Sequence, residues 1–203
     1  AATGLTSLTV SGTSNLGANV TTSGIQTYTG ATTLSGGDRT LTGTTVNFGN
    51  TLTGTASHDL IVTGNLDLDG ALTSVVDLSV SGTSNLGANV TTSRTQTYTG
   101  ATTLSGGDRT LTGTTMNFGS TLTGTGSHDL IVTGNLDLDG ALTSVVDLSV
   151  SGTSNLGANV TTSGTQTYTG ATTLSGGDRT LTGTTMNFVS TLAGGTNALT
   201  ITG

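Results

Sequence analysis

The sequence predicts an all-β chain wound as a right-handed parallel β-helix, on three observations. Short stretches of alternating apolar residues end at glycines that recur about every 15–19 residues. The 203 residues are built from a 70-residue unit in tandem. Small, β-branched and turn-forming residues dominate, with 52 Thr, 33 Gly, 21 Ser and 13 Asn and no Pro. Thr and Gly are poor helix formers, and no 3.6-residue apolar stripe persists, so helix is disfavoured throughout. The slightly positive mean hydropathy of +0.09 and the absence of proline oppose a disordered chain.

The long repeat is read directly. SGTSNLGANVTTS begins at Ser11, Ser81 and Ser151. Copies cover 8–77, 78–147 and 148–203, the last partial and divergent, within a single solenoid spanning 1–203. Differences are few: Gly24, Arg94 and Gly164 correspond, as do Val46, Met116 and Met186. Inside one copy, Leu78-Ser-Val-Ser-Gly82, Gln96-Thr-Tyr-Thr-Gly100, Met116-Asn-Phe-Gly119 and Leu130-Ile-Val-Thr-Gly134 each end an alternating stretch with a glycine. The glycine spacings are 18, 19 and 15, then 18 to Gly152, which predicts four coils per repeat.

Each coil is expected to make three short strands around a narrow core. In Leu136-Asp137-Leu138-Asp139 the leucines share one face and the aspartates the other. Leu, Val and Ile fill the inside, Thr suits the outer pleated surface, and Gly and Asn take the corners. Tyr28, Tyr98 and Tyr168 recur at one phase and are expected to stack between coils. Eleven coils about 4.8 Å apart predict a rod roughly 50–55 Å long. The Ala1–Leu8 stretch is expected to lack three residues found before Leu148, and Ser190–Gly203 is one residue shorter than Ser120–Gly134. Neither end carries an evident polar cap, which solenoids need for solubility. This predicts either a window on a longer chain or coil ends that stack on other copies.

Composition narrows function. Eleven Asp against four Arg give a net charge of −7, which argues against nucleic acid as a partner. Without cysteine there is no disulfide framework, CxxC zinc site or thiol nucleophile. No apolar run is long enough for a membrane span and no leader pattern is present, so any export signal is expected to be removed or to lie outside this segment.

TQTYTGATTLSGGDRTLTGTTMNFGSTLTG and LIVTGNLDLDGALTS resemble the repeats of filamentous-haemagglutinin-like exoproteins, large bacterial surface proteins exported by two-partner secretion. The resemblance spans essentially the whole chain and rests on the style of the repeat. It implies a right-handed β-helical shaft, export to the cell surface, and a part in adhesion or extracellular filaments.

Candidate sites are sparse. Asp67, Asp69, Asp137 and Asp139 are weak calcium candidates, because two carboxylates on one strand need ligands from other coils. Asn19, Asn89 and Asn159 open N-x-T sequons, at a frequency a Thr-rich chain produces by chance. His58 and His128, each followed by Asp, have no counterpart in the third copy and no second histidine at ligand spacing. Gly37-Asp38-Arg39 marks a corner whose arginine is expected to reach neighbouring carboxylates. No cofactor and no catalysis are expected. The expected function is a structural repeat segment of a secreted bacterial cell-surface filament or adhesin shaft, meeting other copies by end-to-end stacking or lateral contacts, or a host or neighbouring cell. The alternative is a surface-binding module for a host glycan or ice. For ice, one Thr-x-Thr per coil on one face is required, and the spacings look irregular.

Overall fold

The chain winds into coils that turn its alternating leucines inward. In the computed structural model, which describes all residues except Ala56 and Gly126, 28 strands pair in parallel to form a β-solenoid of about ten turns. Three faces run along the rod. The first starts with Ala2–Leu5, the second with Leu8–Val10 and the third with Ser14–Leu16. Long strands such as Arg39–Phe48 and Leu60–Leu68 bend at a glycine and serve two faces each.

Each inward residue sits over its counterpart one coil away. On the first face Leu60, Leu78, Gln96, Met116 and Leu136 follow one another in register. All of them are buried, and all but the polar Gln96 belong to one continuous hydrophobic core. Inward side chains thus cover one another from coil to coil, apolar in this series except for Gln96, and no coil completes its own core.

Some coils are longer than the expected 15–19 residues, and none is as short as 15. Paired residues lie 18 apart at Leu60 and Leu78, 20 apart at Gln96 and Met116, and 21 apart at Arg39 and Leu60. The glycine spacing misled because Gly82 and Gly100 turn the chain from the first face to the second, whereas Gly134 turns it from the third to the first. The interval of 15 is therefore part of a turn. As a result the 70-residue repeat lays down eleven strand segments, or three and two-thirds coils in place of four. Each copy is displaced by one face. The series Leu-Gln-Val/Met occupies the second face as Leu8, Gln26 and Val46, the first as Leu78, Gln96 and Met116, and the third as Leu148, Gln166 and Met186. Successive copies stand about 18 Å apart along the axis.

The expected loss of three residues near the start does not occur. Ala2 pairs with Val20 and Leu5 with Thr22, as Leu72 pairs with Val90 and Val75 with Thr92. Gly4 (φ 75°) takes the bulge position held by Ser74 and Ser144, both at φ 58°. A left-handed conformation costs a non-glycine residue about 1 kcal/mol or more. Ser144→Gly is therefore expected to raise stability by up to about 1 kcal/mol, offset in part by glycine's greater freedom in the unfolded chain. Urea denaturation monitored by circular dichroism measures it. The shortening at the C-terminal end does hold: Arg179 pairs with Leu199, 20 residues on, where Arg109 pairs with Leu130, 21 on.

Several polar groups inside the rod are satisfied locally, whereas among the described residues the buried hydroxyls of Ser84, Thr102, Ser154 and Thr172 and the Asn47 Oδ1 make no hydrogen bond within the chain. Gln96 is fully buried; its Nε2 donates to Thr112 O at 2.8 Å, and Tyr98 OH donates to its Oε1 at 2.9 Å. Arg39 and Arg109 overturn the expectation of exposed charge pairs. Both are buried at the Ser-Gly-Gly-Asp corners, where their guanidinium groups donate to backbone carbonyls. Arg109 Nε reaches Leu86 O at 3.0 Å and Nη1 reaches Asp108 O at 2.7 Å. Two positive-φ glycines, Gly106 and Gly107, fold the corner around the guanidinium. An open corner thus becomes a clip between coils.

Candidate functional site: two equivalent grooves

Outward residues define what the rod can touch. In Leu60–Leu68, Leu66 and Leu68 are buried and Asp67 faces outward between them, as the alternation predicts. Register places Asn47 on one side of Asp67 and Asn85 on the other, followed by Thr103. One carboxylate therefore lies between amides and avoids the repulsion of stacked like charges. Asn85 Nδ2 donates to Asp67 Oδ1 at 2.8 Å, and Ser105 Oγ donates to Asn85 Oδ1 at 2.8 Å. Beside this ladder run Thr45, Asn65, Thr83 and Ala101, with Thr83 N donating to Asn65 Oδ1 at 2.9 Å. The small Ala101 side chain ends that file and helps leave an open hollow of about 470 Å³.

The hollow recurs. Thr115, Asn135, Asp137, Asn155, Ala171 and Thr173 line one of about 430 Å³, with Asn155 Nδ2 donating to Asp137 Oδ1 at 2.8 Å. The first groove lies on the second face and its copy on the first face, as the phase of the repeat requires.

The four calcium candidates are split accordingly. Asp67 and Asp137 line separate grooves, and Asp69 and Asp139 occupy the exposed corners that follow, each donating its backbone N–H to a phenylalanine carbonyl at 2.9 Å. Among the described residues no group of three or more His, Cys, Asp or Glu is placed to hold a metal. The sequon residues Asn19, Asn89 and Asn159 sit at exposed corners, their Oδ1 atoms accepting from Thr40, Thr110 and Thr180 N–H at 2.9–3.0 Å. The groove residues Asn65, Thr83, Asn85 and Thr103 were not singled out from the sequence. Their signal is the spacing of 18 that joins Asp67 to Asn85 and Asn85 to Thr103, which is visible only once the coil length is fixed.

A second set of aspartates caps backbone. Asp38 Oδ1 accepts from Asp59 N–H at 3.0 Å, and Asp59 Oδ1 from Asp77 N–H at 3.1 Å. Asp77 Oδ1 accepts from Thr95 N–H at 2.7 Å, while its other oxygen lies 3.6 Å from exposed Arg94. His58 Nδ1 stands 3.9 Å from Asp38 and His128 Nδ1 3.8 Å from Asp108, beside these ladders. Their geometry is that of corner stitching.

The tyrosines stack as expected. Tyr28, Tyr98 and Tyr168 are fully buried on Phe48, Phe118 and Phe188, with ring centroids 5.1–5.2 Å apart. Burial pushes the Tyr28 phenol up to about 12, and those of Tyr98 and Tyr168 upward as well. A raised phenol leaves stability intact below its unfolded value near 10 and removes it as pH climbs toward the folded value. The rod is thus expected to keep its circular dichroism to about pH 10 and to lose stability progressively between there and about pH 12. Tyrosinate absorbance should appear together with unfolding. Absorbance that rises near pH 10 while the fold persists would contradict the burial.

Compared with protein-family models, curated proteins and solved structures, the chain matches none.

Proposed function

We propose that this chain is a structural shaft segment of a secreted bacterial cell-surface filament or adhesin, with no chemistry of its own. The observation that carries this reading is the continuous core. Inward residues stack from coil to coil on three faces, and backbone hydrogen bonds join every coil to the next, so length follows repeat number. The corners reinforce the rod through buried arginines and aspartates that cap the neighbouring coil. Contacts with other copies, lateral or through stacked coils, would assemble such rods into filaments.

The test is dimensional and cellular. Adding one 70-residue copy should lengthen the rod by about 18 Å in small-angle X-ray scattering. Antibody to the chain should label intact cells of the source organism or its culture medium. Labelling confined to the cell interior would overturn the proposal, whatever the rod's length.

A second reading, as a surface-binding module, has one supporting observation. Thr103, Thr123 and Thr143 face outward in successive coils of the second face, and Thr161, Thr182 and Thr202 do so in the next three. The irregular sequence spacing becomes a regular file because coil lengths vary in step. It is one threonine wide, short of the paired array expected for ice. Thermal hysteresis in a freezing assay would favour this reading.

A further inference from the structure

The grooves around Asp67 and Asp137 have a chemistry that the shaft reading does not use. Among the described residues, Asp67 Oδ2, Asn65 Nδ2 and the Thr103 hydroxyl make no hydrogen bond within the chain, although their neighbours do. The same holds for Asp137 Oδ2, Asn135 Nδ2 and the Thr173 hydroxyl. In each groove the ladder bonds fix the side chains through one atom and leave the other for a ligand. An ionised carboxylate oxygen accepts strongly, an amide nitrogen donates, and a hydroxyl does either. That set is complementary to neighbouring hydroxyl groups on one ligand, with the carboxylate accepting from one and the amide donating to the next.

We propose that the two grooves are equivalent binding sites for segments of a neutral polysaccharide chain. Charge selects against anionic glycans, since each groove carries a carboxylate on a rod of net charge −7. Volumes of about 470 and 430 Å³ fall within the range of small-ligand sites, and their open form admits a chain passing through. Placement selects the kind of partner. The sites stand on different faces, one 70-residue copy apart along the axis, so a flat crystalline surface meets only one of them. A flexible chain winding around the rod, or two chains held by one rod, engages both. Each site alone is shallow and without an aromatic platform, so binding is weak per site and gains by repetition along longer arrays. The inference goes beyond the shaft reading and does not depend on it.

Isothermal titration calorimetry and chemical-shift perturbation on the whole chain test it, with cello-, malto-, manno- and N-acetylchito-hexaose as neutral probes and a heparin hexasaccharide as the anionic one. The expected result is that at least one neutral hexaose binds at two equivalent sites, with millimolar or somewhat tighter affinity, and shifts the Asn65, Asp67 and Thr103 amides and their counterparts. Asp67→Asn should remove one of the two sites, and Asp67→Asn with Asp137→Asn should weaken binding about ten-fold or more. Both variants keep the side-chain shape, and unchanged circular dichroism confirms that they fold. The heparin probe should leave the groove amides unmoved. No binding of any neutral probe at millimolar concentration overturns the proposal. So does binding that the double variant leaves unchanged, or stronger binding of the heparin fragment. None of these outcomes bears on where the protein resides or how its rods assemble.

Discussion

Leu136→Asp is expected to cost more stability than any other single substitution considered for this chain. Leu136 is 1% exposed, and register sets Met116 on one side of it and Ser154 on the other. Removing a buried leucine side chain costs about 2–5 kcal/mol by itself. The carboxylate adds the cost of an unpaired charge in a largely apolar core, only partly offset by the Ser154 hydroxyl beside it, and this burial holds its pKa above the ordinary range. The sign with pH follows. The part of the loss due to charge is absent below the unfolded carboxyl pKa and grows as pH rises through it. The variant should therefore be markedly less stable at pH 7 than at pH 4 relative to the parent, as measured by urea denaturation at both values. Asp137→Leu, one residue along on the outer face, should stay within about 1 kcal/mol of the parent. Equal losses at the two positions would mean that the alternation does not set inside and outside.

Gly134→Ala is the second large effect, and it acts through backbone. Gly134 has φ 138°, and a Cβ built there would lie 2.0 Å from Gly113 O in the preceding coil. Gly64 repeats the arrangement against Gly43 O at 1.9 Å. Neither atom can step aside, because the coil spacing is fixed by backbone hydrogen bonds such as Gly152 N to Gly134 O at 2.9 Å. Backbone strain of about 1–3 kcal/mol and overpacking of about 1–3 kcal/mol combine to a loss of about 2–6 kcal/mol. Gly195→Ala is the control for conformation without crowding: it also has positive φ (60°) but meets no atom within 4 Å. Its loss should be confined to the strain. A milder effect at Gly134 than at Gly195 would contradict the close approach of coils.

Much of this was legible in residue order. Alternation in Leu136-Asp137-Leu138 fixes which side chains enter the core, because successive strand residues point to opposite faces. The tyrosines recur at one phase and do stack between coils. Arg39 was misread because its sequence neighbours, Gly37 and Asp38, look like an exposed charged corner. Its guanidinium is instead held by Leu16 O, which belongs to the preceding coil and lies 23 residues away, as Leu86 O holds Arg109 in the next copy. The groove was hidden for the same reason. Asn65, Asp67, Asn85 and Thr103 meet only through coil-to-coil register, and no short motif joins them.

Residue order by itself determined that this chain is a parallel β-solenoid built from 70-residue copies, since pattern and turn chemistry act over a few neighbours. The tertiary structure alone decided how copies and coils are phased. Coil length is the sum of three corners and three strands, and bulges and the Ser-Gly-Gly-Asp corners vary the coil-to-coil offset from 17 to 21 residues. Eleven segments wound on three faces cannot return to the starting face. Near-identical copies therefore present their grooves to different sides of the rod.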